Sequence, residues 1–245
     1  MKCAKFSLIT GLRKERVTEI EQVTFKQYHA NPTMNSKSHW ESIYATKETT
    51  SLSWYQPHPG RSLDLIDRTA VAKTAKILDV GGGDSLLVDE LVSRGYTDIT
   101  VVDLSIAALD RARARLGRSA SGRVTWLEGD ILDVNLPSQP FDVWHDRAVF
   151  HFLNSAKERS GYIERVEHSV RPGGHVIIAT FSEDGPTRCS GLPVVRYSAT
   201  ELHATFGSDF QLLASEREAH RTPKGAEQSF TYCWCRYEPV AVGAR

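Results

Sequence analysis

From residue 76 onward, short apolar runs of strand length alternate with helix-patterned stretches, and the first run empties into three consecutive glycines. KILDV (76–80) reads as a strand. GGGDS follows it and leads into LLVDELVSRGY, where Leu87 with Leu91 and Val88 with Val92 share a helical face at i, i+4. DITVVDL (98–104), RVTWLEGD (123–130), FDVWHD (141–146) and HVIIATF (175–181) continue the series as strands two to five. Ser105 can cap the helix that carries Ala108, Leu109 and Ala112. Ser155 with Glu158, and Ser198 with Glu201, have capping-box spacing. Tyr162, Val166 and Val170 then line one face of the first of those helices, and Leu202 and Phe206 follow the second cap. RPGG (171–174) reads as a turn. Strands separated by helices predict a parallel sheet covered on both faces. FQLLASER (210–217) and QSFTYCWCRY (228–237) have only a polar loop between them, so they predict an antiparallel hairpin at one edge.

The chain has 245 residues, enough for one sizeable domain with an appendage. Residues 34–240 are expected to form the domain. Residues 1–33 are polar and lack a sustained period, and read as an extension, partly disordered, with one short helix; Met34 is an alternative start. Thirty basic residues balance thirty acidic ones, which argues against a general electrostatic grip on nucleic acid or an anionic membrane. No apolar run approaches the ~18 residues of a membrane span. The four cysteines, at 3, 189, 233 and 235, form no CxxC pair, so no structural zinc is expected. Cys233 and Cys235 share one strand face as packing residues, and the usage suits a reducing cytoplasm.

The glycine loop carries the first chemistry. DVGGGDS (79–85) follows a strand and opens a helix, where a glycine turn lets a ligand approach backbone N–H groups. Asp103 ends the second strand, where a carboxylate can accept both hydroxyls of a ribose. Gly81 and Gly83 begin a dinucleotide fingerprint, but its third glycine is replaced by Leu86. Asp79 and Asp84 flank the loop with negative charge, which disfavours a pyrophosphate and suits a cationic ligand such as S-adenosylmethionine, with its sulfonium and ammonium. Asp130 ends the third strand beside Ile131, where an adenine amino group could be read.

With these segments in order, the chain resembles a class I, seven-stranded S-adenosylmethionine-dependent methyltransferase over roughly residues 38–237. The resemblance rests on ILDVGGGDS (77–85), VVDLS (101–105), LEGDI (127–131), FDVWHDRAVFHF (141–152) and RPGGHVIIATF (171–181). It implies a Rossmann-like α/β fold, a doubly wound and mostly parallel sheet of order 3-2-1-4-5-7-6 with the last strand antiparallel. Ser85 stands where many members carry glycine. By resemblance Asp79, Gly81, Gly82 and Gly83 face the methionine part, Asp103 with Leu104 holds the ribose, and Asp130 with Ile131 contacts adenine. His145, Asp146 and Arg147 fall beside the methyl group. HWESIYATKETTSLSWYQPH (39–58) resembles the entry segment of some bacterial members and of eukaryotic lysine methyltransferases. Its Trp40, Tyr44, Trp54 and Tyr55 can cover the cofactor or pack as core; cofactor coverage is favoured for Trp54 and Tyr55, which sit in a Pro-rich loop.

Methyl transfer from a sulfonium is an in-line displacement that needs alignment and a deprotonated nucleophile, and no metal. His151, Asp146 and His145 are the candidate bases, with Tyr197 as an orienting group; a packed or surface helix residue is the favoured alternative for His151. The segment 182–198 is expected to shape the acceptor pocket, with Arg188 and Arg196 available for an anionic acceptor and Cys189 as packing. The acceptor is unassigned, a small molecule being favoured over a protein lysine. The competing readings are a nicotinamide-dependent oxidoreductase and a nucleoside-binding protein without catalysis.

Overall fold

The computed structural model describes residues 37–239, so the expectations for residues 1–33 lie outside the described residues. Seven strands form one sheet: β1 (Lys76–Val80), β2 (Asp98–Asp103), β3 (Val124–Glu128), β4 (Phe141–Arg147), β5 (Val170–Phe181), β6 (Phe210–Arg221) and β7 (Glu227–Tyr237). Their order is 3-2-1-4-5-7-6. β1 to β5 pair in parallel, and β7 runs antiparallel to both β5 and β6. The doubly wound sheet and the edge hairpin both match the alternation read from the sequence.

Among the described residues six α-helices accompany it: α1 (Lys37–Thr46), α2 (Gly60–Arg68), α3 (Leu87–Ser93), α4 (Ile106–Leu116), α5 (Ala156–Ser169) and α6 (Ala199–Phe206). The expected caps are present. Ser105 accepts from the Ala108 N–H at 3.2 Å, and Ser155–Glu158 and Ser198–Glu201 both close as reciprocal capping boxes. Leu63, Leu91 and Leu109 bring α2, α3 and α4 onto the sheet face that carries Ile77, Val143 and Ile177. Tyr162 and Val166 of α5 and Leu202 and Phe206 of α6 cover the other face, against Leu78, Trp144 and Ile178. Cys233 and Cys235 are buried on this second face, as the strand period requires.

Two local expectations change. RPGG is not a turn, because β5 runs through it. The β4–β5 register moves from Phe141–Val170 to Val143–His175, so residues 171–174 bulge opposite Asp142 alone. Asp142 holds the bulge by accepting from Arg171 Nε at 2.5 Å, and Gly173 supplies a φ of +75°. Val170 therefore opens β5 rather than extending the apolar stripe of α5.

Candidate active site

The parallel register sets Asp79 of β1 directly beside His145 of β4. Both side chains are buried on the α2 face of the sheet. His145 Nδ1 lies 2.8 Å from Asp79 Oδ1 and its Nε2 lies 2.8 Å from Ser62 Oγ, so both ring nitrogens are engaged. Asp79 Oδ2 is buried against Gly82 and has no hydrogen-bond partner among the described residues. A Cβ on Gly82 would come within 2.5 Å of that oxygen, which is why the loop is glycine there. A buried carboxylate oxygen left open is a strong demand for a cationic donor.

Strand period sends Asp146 the other way. It accepts from the backbone N–H groups of Val149 (2.8 Å) and Phe150 (3.0 Å) and from the Tyr162 hydroxyl (2.6 Å), on the α5 face. Burial pushes its carboxyl up to about 6, partly offset by the Tyr162 bond. His151 is also fully buried. Its Nδ1 accepts from the Phe181 N–H at 3.3 Å, and burial, with the Arg147 charge behind it, lowers its pKa to about 3. Neither residue lines either of the two cavities at the strand ends, which speaks against the expectation that they meet the acceptor as bases. They hold the turn after β4 in place.

Two cavities open at the carboxyl ends of the strands. The larger, of about 700 Å³, is lined by Asp103, Leu104, Asp130 and Ile131, with Val149 and Phe152 from the segment after β4. Burial, reinforced by the Asp79 charge, raises the Asp103 carboxyl to about 7 against the lowering effect of the Ser105 N–H bond at 2.8 Å. Asp130 Oδ1 accepts from the Leu132 N–H at 3.0 Å. The second cavity, of about 600 Å³, is lined by Asp79, Gly82, His145 and Tyr55. Gly81, Trp54 and Arg147 line both, so the cavities adjoin there. Gly83 lines neither. It allows close packing, since a Cβ would stand 2.7 Å from Asp103 Oδ2 and 3.1 Å from the Tyr44 hydroxyl.

Asp84 departs from its expected role. Its carboxylate is taken up by Arg115, by Arg111 at 3.7 Å and by the Thr49 hydroxyl, which leaves Asp79 as the loop acid with an unpartnered oxygen among the described residues. Arg196 is spent on the Gly185 carbonyl at 3.1 Å, Arg188 is exposed, and neither lines the two cavities. The ring of Tyr197 packs on Phe150, and its hydroxyl is also away from both cavities. Cys189 does line the larger cavity, but burial raises its thiol to about 12.

The roof comes from the N-terminal segment. Trp40, Tyr44 and Trp54 line the larger cavity, with Trp40 edge-on to both Trp54 (5.9 Å) and Phe152 (5.3 Å). Glu41 fixes α1 by accepting the Ile106 N–H at 2.6 Å, at the N-terminus of α4. The residues missing from the sequence reading come from the terminal hairpin. Glu218 of β6 accepts from Gln56 and from the Tyr232 hydroxyl, both at 3.1 Å, and faces Arg147. The alternation Glu216, Glu218, His220 marks them as one strand face, which was the available signal.

The fold and the two-part cleft at the switch point define a Rossmann-like, doubly wound α/β domain. The family model described as "Methyltransferase domain" matches residues 77–174. An uncharacterized methyltransferase of Mycobacterium tuberculosis is 32% identical over 117 residues, 48% of this chain and 56% of that protein. The chain thus spans about half the length of such curated relatives. Human EEF1A lysine methyltransferase 2 is 20% identical over 204 residues, covering 78% of this chain and 79% of that one. The N-methyltransferase NodS from Bradyrhizobium japonicum, solved with S-adenosylhomocysteine, superposes with a TM-score of 0.64 at 15% identity, over 84% of this chain and 100% of that one. Residues 77–174 thus carry a methyltransferase-domain match within a fold shared with class I S-adenosylmethionine-dependent methyltransferases.

Proposed function

We propose that the chain transfers a methyl group from S-adenosylmethionine to an acceptor, a small molecule in preference to a protein lysine. The observation that carries this is the pairing of two demands in adjoining cavities. Asp103 faces a largely apolar cavity, and the buried Asp79 Oδ2, without a partner among the described residues, lies beside the adjoining one. Asp103 would accept the ribose hydroxyls, Leu104 and Ile131 would sandwich adenine beside Asp130, and Asp79 would accept the ammonium over Gly81 and Gly82. Trp54 would close the cleft from above, with Tyr55 beside the methionine end. When bound, the donor supplies an electrophilic methyl whose leaving group is a neutral thioether.

The chain's own work is then alignment and exclusion of water. Asp146 and His151 serve by fixing the β4 turn, and the acceptor reaches the cleft as a nucleophile without help from either. A roofed cleft under Trp40 and Trp54 favours a compact acceptor, whereas the likeness to EEF1A lysine methyltransferase 2 is the specific point for lysine. We assign no nucleic-acid or membrane partner and place the protein in the cytoplasm, in keeping with its balanced charge and the free Cys189, Cys233 and Cys235. No helix among the described residues is long and apolar enough to cross a membrane.

Calorimetric titration with S-adenosylmethionine, S-adenosylhomocysteine and NADH tests the donor. Saturable binding of the first two and none of the third is expected. NADH binding alone would return the loop to the dinucleotide class. A labelled methyl donor offered with small-molecule pools and with lysine peptides then separates the acceptor classes and excludes a non-catalytic binder.

A further inference from the structure

We propose that Arg147 is an anion anchor, whose guanidinium takes a ligand carboxylate where the two cavities meet and so selects for a donor or acceptor that bears one. Its position is the first reason. Among the described residues it is the one arginine or lysine that lines either of the two cavities, and it lines both. The second reason is unspent donor capacity. A guanidinium carries five N–H donors in a rigid fork. Nε donates to the Tyr232 hydroxyl at 3.0 Å, but Nη2 reaches Glu218 and Nη1 the Trp54 carbonyl only at 3.4 Å. A charge-assisted N–H···O bond is usually about 2.7–2.9 Å. Glu218 meanwhile already accepts from Gln56 and Tyr232.

The third reason is orientation. The Arg147 guanidinium carbon lies 4.1 Å from the Phe230 ring centroid, so Phe230 backs the fork on one side. The side chain is only 10% exposed, so a carboxylate arriving there meets a charge already stripped of most of its water. Asp79 Oδ2 supplies the complementary demand in the adjoining cavity. A cation acceptor and an anion donor sharing one cleft match an α-amino acid zwitterion, which favours the amino-acid end of the donor as the source of the carboxylate. A carboxylate on the acceptor is the other source. Glu218 holds the guanidinium until either arrives.

The donor form of this inference rests on the donor reading above, and the test separates the two. Wild type and R147L are titrated with S-adenosylhomocysteine and with 5′-methylthioadenosine, which keeps the nucleoside and thioether and lacks the amino-acid end. We expect R147L to weaken S-adenosylhomocysteine by at least ~10-fold and to leave methylthioadenosine within about twofold. If both nucleosides are unaffected, benzoate titrated into the S-adenosylhomocysteine complex decides the acceptor source: binding to wild type and loss in R147L supports it. Equal loss of both nucleosides overturns the proposal, as does benzoate binding that is absent from wild type or unchanged in R147L once the nucleosides are unaffected. If R147L leaves Glu218 uncompensated and fails to fold, R147Q/E218Q removes both charges together and is read in the same way. A wild type that binds neither nucleoside refutes the donor reading, and benzoate titrated into the free protein then decides Arg147 alone.

Discussion

Two acids of the same sequence type end with different partners. Asp79 and Asp84 flank one loop, yet Arg111 and Arg115 of α4 neutralise the second and leave the first with an open oxygen. The motif shows both charges and hides the partners, because those arrive from a helix almost thirty residues away. Asp103 was legible as a strand-end acid, but its burial was not. With its carboxyl raised to about 7, it is partly protonated near neutrality before ligand binds. Ribose hydroxyls donate, so they favour the carboxylate form and binding must release that proton. Affinity for S-adenosylhomocysteine is therefore expected to rise with pH through about 7, and Asp103→Asn should remove the pH dependence. Asp103→Ala should also weaken binding by ~10-fold or more, since a hydrogen bond to a charged group contributes about 1.5–3 kcal/mol. Calorimetry between pH 6 and 8 checks both; a flat wild-type profile would take Asp103 out of the ribose contact.

At the scale of elements, β4 separates site residues that are contiguous in sequence. Val143, His145 and Arg147 face one side and Trp144 and Asp146 the other, a period of two that was present in FDVWHDR all along. That period splits HDR, so His145 and Arg147 reach the cleft and Asp146 does not. Asp146 instead ties β4, the following turn and α5 together, through the Val149 and Phe150 N–H groups and Tyr162, which also accepts from Trp144 Nε1 at 2.8 Å. Ala148, within that turn, holds a left-handed φ of +76°. Asp146→Asn turns one of two acceptor oxygens into a donor facing a donor, so a loss of ~1–3 kcal/mol is expected in urea unfolding. On β6, Glu216 clamps Arg61 and Arg68 of α2, but those groups are partly solvated. Glu216→Ala should cost less, up to about 1 kcal/mol, and lose even that in high salt. A larger effect for Glu216 than for Asp146 would show that the hairpin face, rather than the β4 turn, carries the local stability.

Across the whole molecule, the parts set by local pattern were readable: strand positions, both capping boxes, the switch point and the edge hairpin. The parts set by distant packing were not. Trp40, Tyr44 and Trp54 lie 112, 108 and 98 residues before Phe152, and Glu218 reaches back to Gln56 across 162 positions. No spacing rule connects them, because only closure of the sheet brings the roof, the strand ends and the hairpin around one cleft. That assembly makes ligand binding a global event. A ligand held by Asp103, Asp79 and the aromatic roof stabilises the folded state by RT ln(1 + [L]/Kd), about 2.7 kcal/mol at 100 times Kd. For a domain of this size each kcal/mol raises Tm by roughly 2–4 °C, so S-adenosylhomocysteine should raise it by about 5–10 °C. NADH at the same concentration should leave Tm unchanged, because its pyrophosphate would have to sit beside the open oxygen of Asp79, with Leu86 rather than glycine opening the helix. A calorimetric scan of the free and ligand-saturated protein checks this. An equal rise with NADH would mean that the charge of Asp79 does not govern which nucleotides the cleft admits.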